Sequence, residues 1–442
     1  MRLIDEEIFI LPNNLLKAGP LIYVPKRGLV DSIDSETATL ITDLVNVKPE
    51  DLKIYSALSD LYNIILTYPL KDLDVMKKGF PDLNIDLSNG CNMQCIYCYA
   101  GRGDANIKFQ SKENILFILN TYFNHLIKLP NFEKDKNCSI VFSNDAEPTL
   151  SPELLKYTVH AAMEIGNKVN VQPIFSMPSN CAYQEDLSPF IIKHFNNISC
   201  SFDGLPWVQN IHRPFSNGKP SFDVVYKNIK ELYQKGIKIR FNIVVTSHNL
   251  FFLNETIDFF HENFHGSRIS FSQLILTGRA LEQQNKIAID QHVYDEQLML
   301  AMAHAKKTSI KVFGKHGFTI QKPRRHYCSS TAKPNWNVSL TGEVYACMED
   351  KSKNMQIGCF NFNDQTLNLD QAQIIKLELE TVDECSICID CFAKYMCAGG
   401  CISKKKNIMS QCVGIKARCL FIIEEAYEKA LKIKAKAIFE IR

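Results

Sequence analysis

Three cysteines stand within eight residues, in the order Cys91-Asn-Met-Gln-Cys95-Ile-Tyr-Cys98, shortly after the β-rich run Leu83–Leu87. With three and two residues between them, their thiolates can converge from one loop on a compact inorganic core. A four-iron cluster is fully ligated by four Cys, so three leave one iron open to bind something else. A zinc site short of a ligand is the bland alternative. Position favours the cluster, because a loop at the C-terminal end of a first barrel strand lies where such folds keep their active sites. Ten further cysteines fall between Cys328 and Cys419, including Cys388-x2-Cys391-x5-Cys397-x3-Cys401 and then Cys412 and Cys419. Pairs of the Cys-x2-Cys type are also zinc ligands.

The chain that carries them has 442 residues, with 16 cysteines, a formal charge of +2 and 22% charged residues. That is an ordinary globular composition, far below the roughly 8–10% Cys of a small secreted disulfide scaffold. Near-zero net charge gives no electrostatic case for nucleic acid or a membrane surface. Acidic residues follow Met1 where a signal peptide needs a basic region. No apolar run reaches the length that spans a bilayer. A cytoplasmic location is expected, where thiols stay reduced and clustered cysteines read as metal or cluster ligands. The scattered Cys138, Cys181 and Cys200 read as small buried apolar residues.

Three regions should position these groups. Residues 1–80 read as a small α+β domain: strands at Phe9–Leu11 and Leu21–Val24, a helix capped by Ser35 with Ala38, Ile41, Leu44 and Val45 at helical spacing, and a helix over Leu58–Thr67. Residues 81–310 alternate six times between short β-rich runs and helical segments, the pattern of a parallel sheet with covering helices. The strands are expected at Leu83–Leu87, Ser139–Phe142, Val169–Phe175, Ile198–Phe202, Ile237–Val245 and Ser267–Leu274. Six units fit an α/β fold with a partial (β/α)6 barrel rather than a closed eight-fold one. Residues 311–442 hold the dense cysteines and end in a helix over Glu424–Ile441. Lysines around Lys404–Lys406 and along that helix read mainly as a solvated face.

The Cys-x3-Cys-x2-Cys loop resembles that of the radical S-adenosylmethionine (radical SAM) enzymes. The resemblance implies that the open iron chelates the SAM amino and carboxylate groups. An electron from the cluster then yields a 5′-deoxyadenosyl radical that abstracts hydrogen from substrate. Later positions extend the likeness in chain order. Tyr97 stands before the third cysteine, near the adenine. Asp145-Ala146-Glu147-Pro148 resembles the family's Gly-Gly-Glu-Pro element, with both glycines replaced and Glu147 retained for the SAM amino group. Ser179-Asn180 resembles the turn near the ribose. Ser201-Phe-Asp203-Gly204 resembles the fourth-strand Ser-x-Asp-Gly, and Arg213 matches the arginine that reaches the SAM carboxylate. Gly278-Arg279-Ala280 closes the sixth unit as often in this family, or is a surface turn.

The downstream cysteines resemble the SPASM extension of these enzymes, which implies two auxiliary four-iron clusters and three in all. One would be held by Cys388, Cys391, Cys397 and a fourth ligand, Cys412 or Cys419, with Cys412 favoured because Lys416 completes a C-x3-K start. Cys328, Cys347 and Cys401 would hold the other. The sulfatase-maturing branch has a cysteine six positions after the first of these, where this chain has Pro334; Cys385 or Cys359 could substitute, or an iron stays open. Residues 1–80 resemble the peptide-recognition domain of maturases, which holds a leader peptide by strand addition; a plain structural cap is the alternative. The implied activity is maturation of a precursor peptide through a thioether or carbon–carbon crosslink, with a flavodoxin or ferredoxin as reductant. An anaerobic sulfatase-maturing enzyme is the second reading, weakened because Met348 replaces the aspartate base after Cys347. A non-catalytic zinc scaffold is the third.

Overall fold

The computed structural model describes residues 2–3, 6–14, 19–43, 56–103, 106–130, 132, 136–142, 145–314, 318–403 and 408–440. They form two compact units, the larger made of Gly79–His316 with Lys333–Glu378 and the smaller of Met1–Lys78, Gly317–Ala332 and Leu379–Arg442.

One eleven-stranded sheet organises the larger unit. Its first seven strands are β1 (Leu83–Ile85), β2 (Asn137–Phe142), β3 (Gln172–Ser179), β4 (Phe195–Ser201), β5 (Lys238–Val245), β6 (Arg268–Gln273) and β7 (Lys311–Gly314). All pair in parallel with their chain neighbours. β8 (Trp336–Val338) adds to the far side of β1, also in parallel, and β9 to β11 (Glu343–Tyr345, Gln356–Asn361, Thr366–Leu369) continue as an antiparallel meander. β7 and β11 end the sheet, so the parallel set is an open, partial barrel. The alternation of six units holds, and two short strands extend it.

Side-chain alternation shows how the barrel wall is built. In β5, Ile239, Phe241, Ile243 and Val245 are buried while Lys238 and Arg240 between them are not. Phe241 packs at 4.5 Å from Phe260 and 5.1 Å from Phe264, both on the covering helix side. The intervening residues therefore face the barrel interior. Helix Phe222–Gln234 runs as its periodicity predicts, burying Val225, Ile229 and Leu232. Each such burial contributes about 1.5–3 kcal/mol. Cys138, Cys181 and Cys200 are all buried, as expected of small apolar residues.

The smaller unit holds a three-stranded antiparallel sheet of Phe9–Leu11, Leu21–Val24 and Leu29–Ser32. One face packs Ile22, Val24 and Leu29 with Ile41 and Ile65 from the helices Ser35–Asp43 and Ser56–Thr67. Its other face packs Leu11, Leu21 and Tyr23 against Ile415, Cys419, Ile423 and Tyr427. Those last four belong to one long helix, Ile408–Glu440, which starts sixteen residues before the expected Glu424. The Cys-, Gly- and Lys-rich start hid its periodicity. Ser35 is not the helix cap; the Asp34 carboxylate accepts from Thr37 N at 2.7 Å instead. Leu44 and Val45 lie outside the described residues.

Candidate active site

The loop after β1 places Cys91, Cys95 and Cys98 at the C-terminal end of the parallel strands. It is fixed by backbone bonds rather than by regular structure: Gln94 N donates to Pro214 O (2.9 Å) and Ile96 N to His212 O (3.0 Å). The last motif along the chain, Gly278-Arg279, clamps the same loop. Arg279 N donates to Cys98 O (3.0 Å), Nη1 to Cys95 O (2.8 Å) and Nη2 to Arg102 O (2.8 Å). Gly278 has φ +54°, and a Cβ there would stand 2.4 Å from Tyr99 O and 2.6 Å from Cys98 O. This turn is thus part of the site and not a surface turn.

N–H donors reach two of the three sulfurs. Met93 N donates to Cys91 Sγ (3.4 Å), Arg102 N to Cys98 Sγ (3.4 Å) and Asn180 Nδ2 to Cys91 Sγ (3.7 Å). Burial pushes the Cys91 thiol up to about 12, with Glu147 adding to the rise. Burial also raises Cys95, to about 11, against the opposing pull of Arg213. Buried thiols of this kind ionise readily only with a metal centre to take their charge. No three His, Cys, Asp or Glu among the described residues gather closely enough to hold a single metal ion.

Around the loop stand the other expected residues. Glu147, buried after β2, accepts from Thr149 Oγ1 (2.7 Å), Ser179 Oγ (2.8 Å) and Asn180 N (2.7 Å). Burial raises its pKa against those bonds. Asn180 is the link between motifs, since its Nδ2 also donates to Asn92 Oδ1 at 2.7 Å. Tyr97 Oη donates to Asp203 Oδ2 (3.0 Å), and Arg213 Nε donates to the same oxygen (2.9 Å). The Arg213 guanidinium lies 5.2 Å from the Tyr97 ring centre. Burial works to raise Asp203, but Arg213 and His212 outweigh it and hold the carboxyl below its ordinary value. Asp203 Oδ1 is buried without a hydrogen-bond partner. Ser201 ends β4 opposite Asn242 and is not part of this network.

Asp145, a residue expected from the sequence, is held by Tyr99 Oη (2.9 Å) and by an ion pair with Lys351, which also reaches Asp86 Oδ2 at 3.3 Å. Lys351, Asp86 and Tyr99 were not singled out from sequence. Burial would lower the Lys351 pKa; the two aspartates reverse this and raise it. His212 ends the helix Pro206–His212, which sequence periodicity was too short to show. Its Nε2 lies 2.9 Å from Thr246 Oγ1.

In the smaller unit, Cys388, Cys391, Cys397 and Cys412 line one cavity together with Lys394 and Lys416. Burial raises Cys388 to about 12 and Cys397 to about 11. Cys419 is not on that wall but in the apolar core beside Tyr23, although its thiol senses Cys397 and Cys391. Cys328 and Cys385 line a second, smaller cavity with Gly399 and Gly400. Cys401 acts electrostatically on Cys328, and Cys385 on Cys388. Cys347 and Cys359 belong to the larger unit.

Residues 85–260 match the radical SAM superfamily. That stretch of the chain is a radical SAM domain. A radical SAM domain implies an enzyme that holds one four-iron cluster and SAM. Among curated proteins, it is 25% identical to an uncharacterized protein of Methanocaldococcus jannaschii over 62% of this chain and 86% of that one. It is 24% identical to the cysteine-type anaerobic sulfatase-maturating enzyme of Clostridium perfringens, over 71% of this chain and 86% of the relative. Among solved structures, native anSMEcpe with bound AdoMet shares its fold at a TM-score of 0.61 and 16% identity, covering 80% of this chain and all of that one. The same protein with AdoMet and a Cp18Cys peptide gives a TM-score of 0.56 at 17% identity, over 80% of this chain and 100% of that one. No helix among the described residues is long and apolar enough to cross a membrane.

Proposed function

We propose that this enzyme matures a precursor peptide, using hydrogen abstraction to form a thioether or carbon–carbon crosslink. When bound, the cluster and SAM together supply the hydrogen-abstracting radical. The chain's own part is to hold and orient. Cys91, Cys95 and Cys98 would ligate the cluster on a loop pinned by Arg279. Glu147 and Asn180 stand beside it, fixed by four neighbours' hydrogen bonds, where a ligand amino group would be received. Arg213, Asp203 and Tyr97 form a buried polar wall, and the unpartnered Asp203 Oδ1 is an acceptor that a donor of the cofactor would satisfy. Cys388, Cys391, Cys397 and Cys412 suit a fully ligated auxiliary cluster, with Cys328 and Cys401 among the ligands of a second.

One observation carries the choice of crosslinking over sulfatase maturation. Met348 stands at the position of the expected aspartate base. A thioether there cannot accept a proton from a reacting substrate. The sulfatase-maturating relative and fold neighbour keep that second reading in view. The test is to incubate the anaerobically reconstituted enzyme with SAM, dithionite and a panel of Cys-containing peptides, and to weigh the product. A crosslink removes a pair of hydrogens and keeps sulfur. A formylglycine product loses the sulfur, and that outcome would reverse the choice.

A further inference from the structure

The barrel interior carries a feature that the site above does not use. A cavity of about 700 Å³ opens beside Ser176–Pro178 of β3, Asn197–Ser199 of β4 and the N-terminal ends of β5 to β7, lined by Lys238, Arg240, Arg268 and Lys311 and by no carboxylate. The strand register makes three of these cations direct neighbours. Arg240 pairs with Arg268, and Arg268 with Lys311. Adjacent strands are about 4.8 Å apart, and like charges placed directly opposite one another destabilise a sheet. None of the four forms an ion pair among the described residues; Arg268 only stacks over Phe313 at 5.4 Å. The hydrogen-bonding Ser176, Asn197 and Ser199 line the same cavity, together with the apolar Val141, Met177 and Met348. All four cations are exposed, and an anion bound across the row would relieve the repulsion that solvent now screens.

We infer that this row, Arg240-Arg268-Lys311, is a subsite for carboxylate side chains of the peptide substrate. The inference rests on the peptide reading and adds a charge rule to it. A peptide is favoured over a compact anion because the row and the Cys91–Cys98 loop lie at opposite ends of the same strands. From Arg240 to the end of β5 at Val245 the rise is roughly 17 Å at about 3.3 Å per residue. An extended chain covers that distance in about five residues. The substrate should therefore carry Asp or Glu about five positions from the residue that is modified.

The test uses the reconstituted holoenzyme with SAM bound, and a fluorescein-labelled Asp-rich peptide against its counterpart with Asn for Asp. Anisotropy should show the acidic peptide binding at least tenfold more tightly, with the preference fading as salt rises. R240Q and R268Q should each weaken the acidic peptide about tenfold, as loss of a charge-assisted bond predicts, and leave the Asn peptide unchanged. Peptide-independent 5′-deoxyadenosine formation should be unaffected, since neither residue touches the cluster loop. The double reversal R240E/R268E should instead select a Lys-rich peptide, a gain that a misfolded variant cannot give. Equal binding of Asp and Asn peptides, or an acidic preference that survives R240E/R268E, overturns the subsite. Crosslinking of a neutral peptide at full rate would overturn it too while leaving the peptide reading intact. The peptide reading fails separately, if no peptide draws hydrogen transfer into 5′-deoxyadenosine.

Discussion

Gly278→Ala isolates the clamp on the cysteine loop. At φ +54° and ψ −135° an alanine is in a region that is essentially open to glycine alone, costing about 1–3 kcal/mol. Its Cβ would lie 2.4 Å from Tyr99 O and 2.6 Å from Cys98 O, whereas ordinary contact begins at 3.4 Å. Both are backbone carbonyls, so the loop must retreat by about 1 Å or the Gly278 turn must open. Cys98 O is also the acceptor of Arg279 N and Gly101 N, so either movement loosens the third cluster ligand. A penalty of about 3 kcal/mol corresponds to a drop of roughly 100-fold in the population of the ligating loop. The expected result is a protein that folds but loses about four irons and most of its 5′-deoxyadenosine formation. Gly236→Ala is the control: φ is +83° there, but nothing lies within 4 Å of the added Cβ. It should cost a little stability and no iron. Full iron content and unchanged SAM cleavage in Gly278→Ala would refute the clamp.

Other outcomes follow from the same geometry. Asp203→Asn leaves Arg213 buried without its counter-charge and should cost about 3–5 kcal/mol in denaturant titrations. Because the Asp203 pKa is lowered in the folded chain, its stabilisation is present above the ordinary carboxylate pKa and is lost as pH falls through the folded value. The variant should accordingly show a flatter acid limb. Cys412→Ala should lose about four irons while Cys419→Ala retains them and only lowers the melting temperature, because Cys412 and not Cys419 lines the cavity with Cys388, Cys391 and Cys397; iron counts on both decide. Lys351→Met removes the cation shared by Asp86 and Asp145, leaving two carboxylates without their counter-charge, and should lower the urea midpoint with the slope m unchanged.

Much of this was legible in the sequence, for identifiable reasons. The cysteine spacing around Cys91 carries its own chemistry, and long amphipathic segments such as Phe222–Gln234 reveal themselves by period. Glu147, Asn180, Asp203 and Arg213 were picked out by their resemblance to radical SAM motifs in chain order, and the fold brings them beside the cysteine loop. What escaped depends on contacts between distant segments. Lys311–Gly314 and Trp336–Val338 are too short to show an alternation, yet they extend the parallel sheet on both sides. Lys351 is an exposed-looking lysine in a polar stretch until the fold brings it to Asp145. Arg279 was read as an even choice between motif and turn, and only its three contacts to the cysteine loop decide the matter. The cationic row has residues from three strands, so no local window contains it.

The central claim is that Cys91, Cys95 and Cys98 hold the cluster at which SAM is cleaved, apart from the cysteines of the C-terminal region. The direct measurement is 5′-deoxyadenosine formation under dithionite, with iron counted in parallel, for the enzyme in which all three are replaced by Ala. The account predicts no 5′-deoxyadenosine, a loss of about four irons and a remaining complement of about eight on the auxiliary sites. Continued 5′-deoxyadenosine production by that variant, or an unchanged iron count, would contradict it.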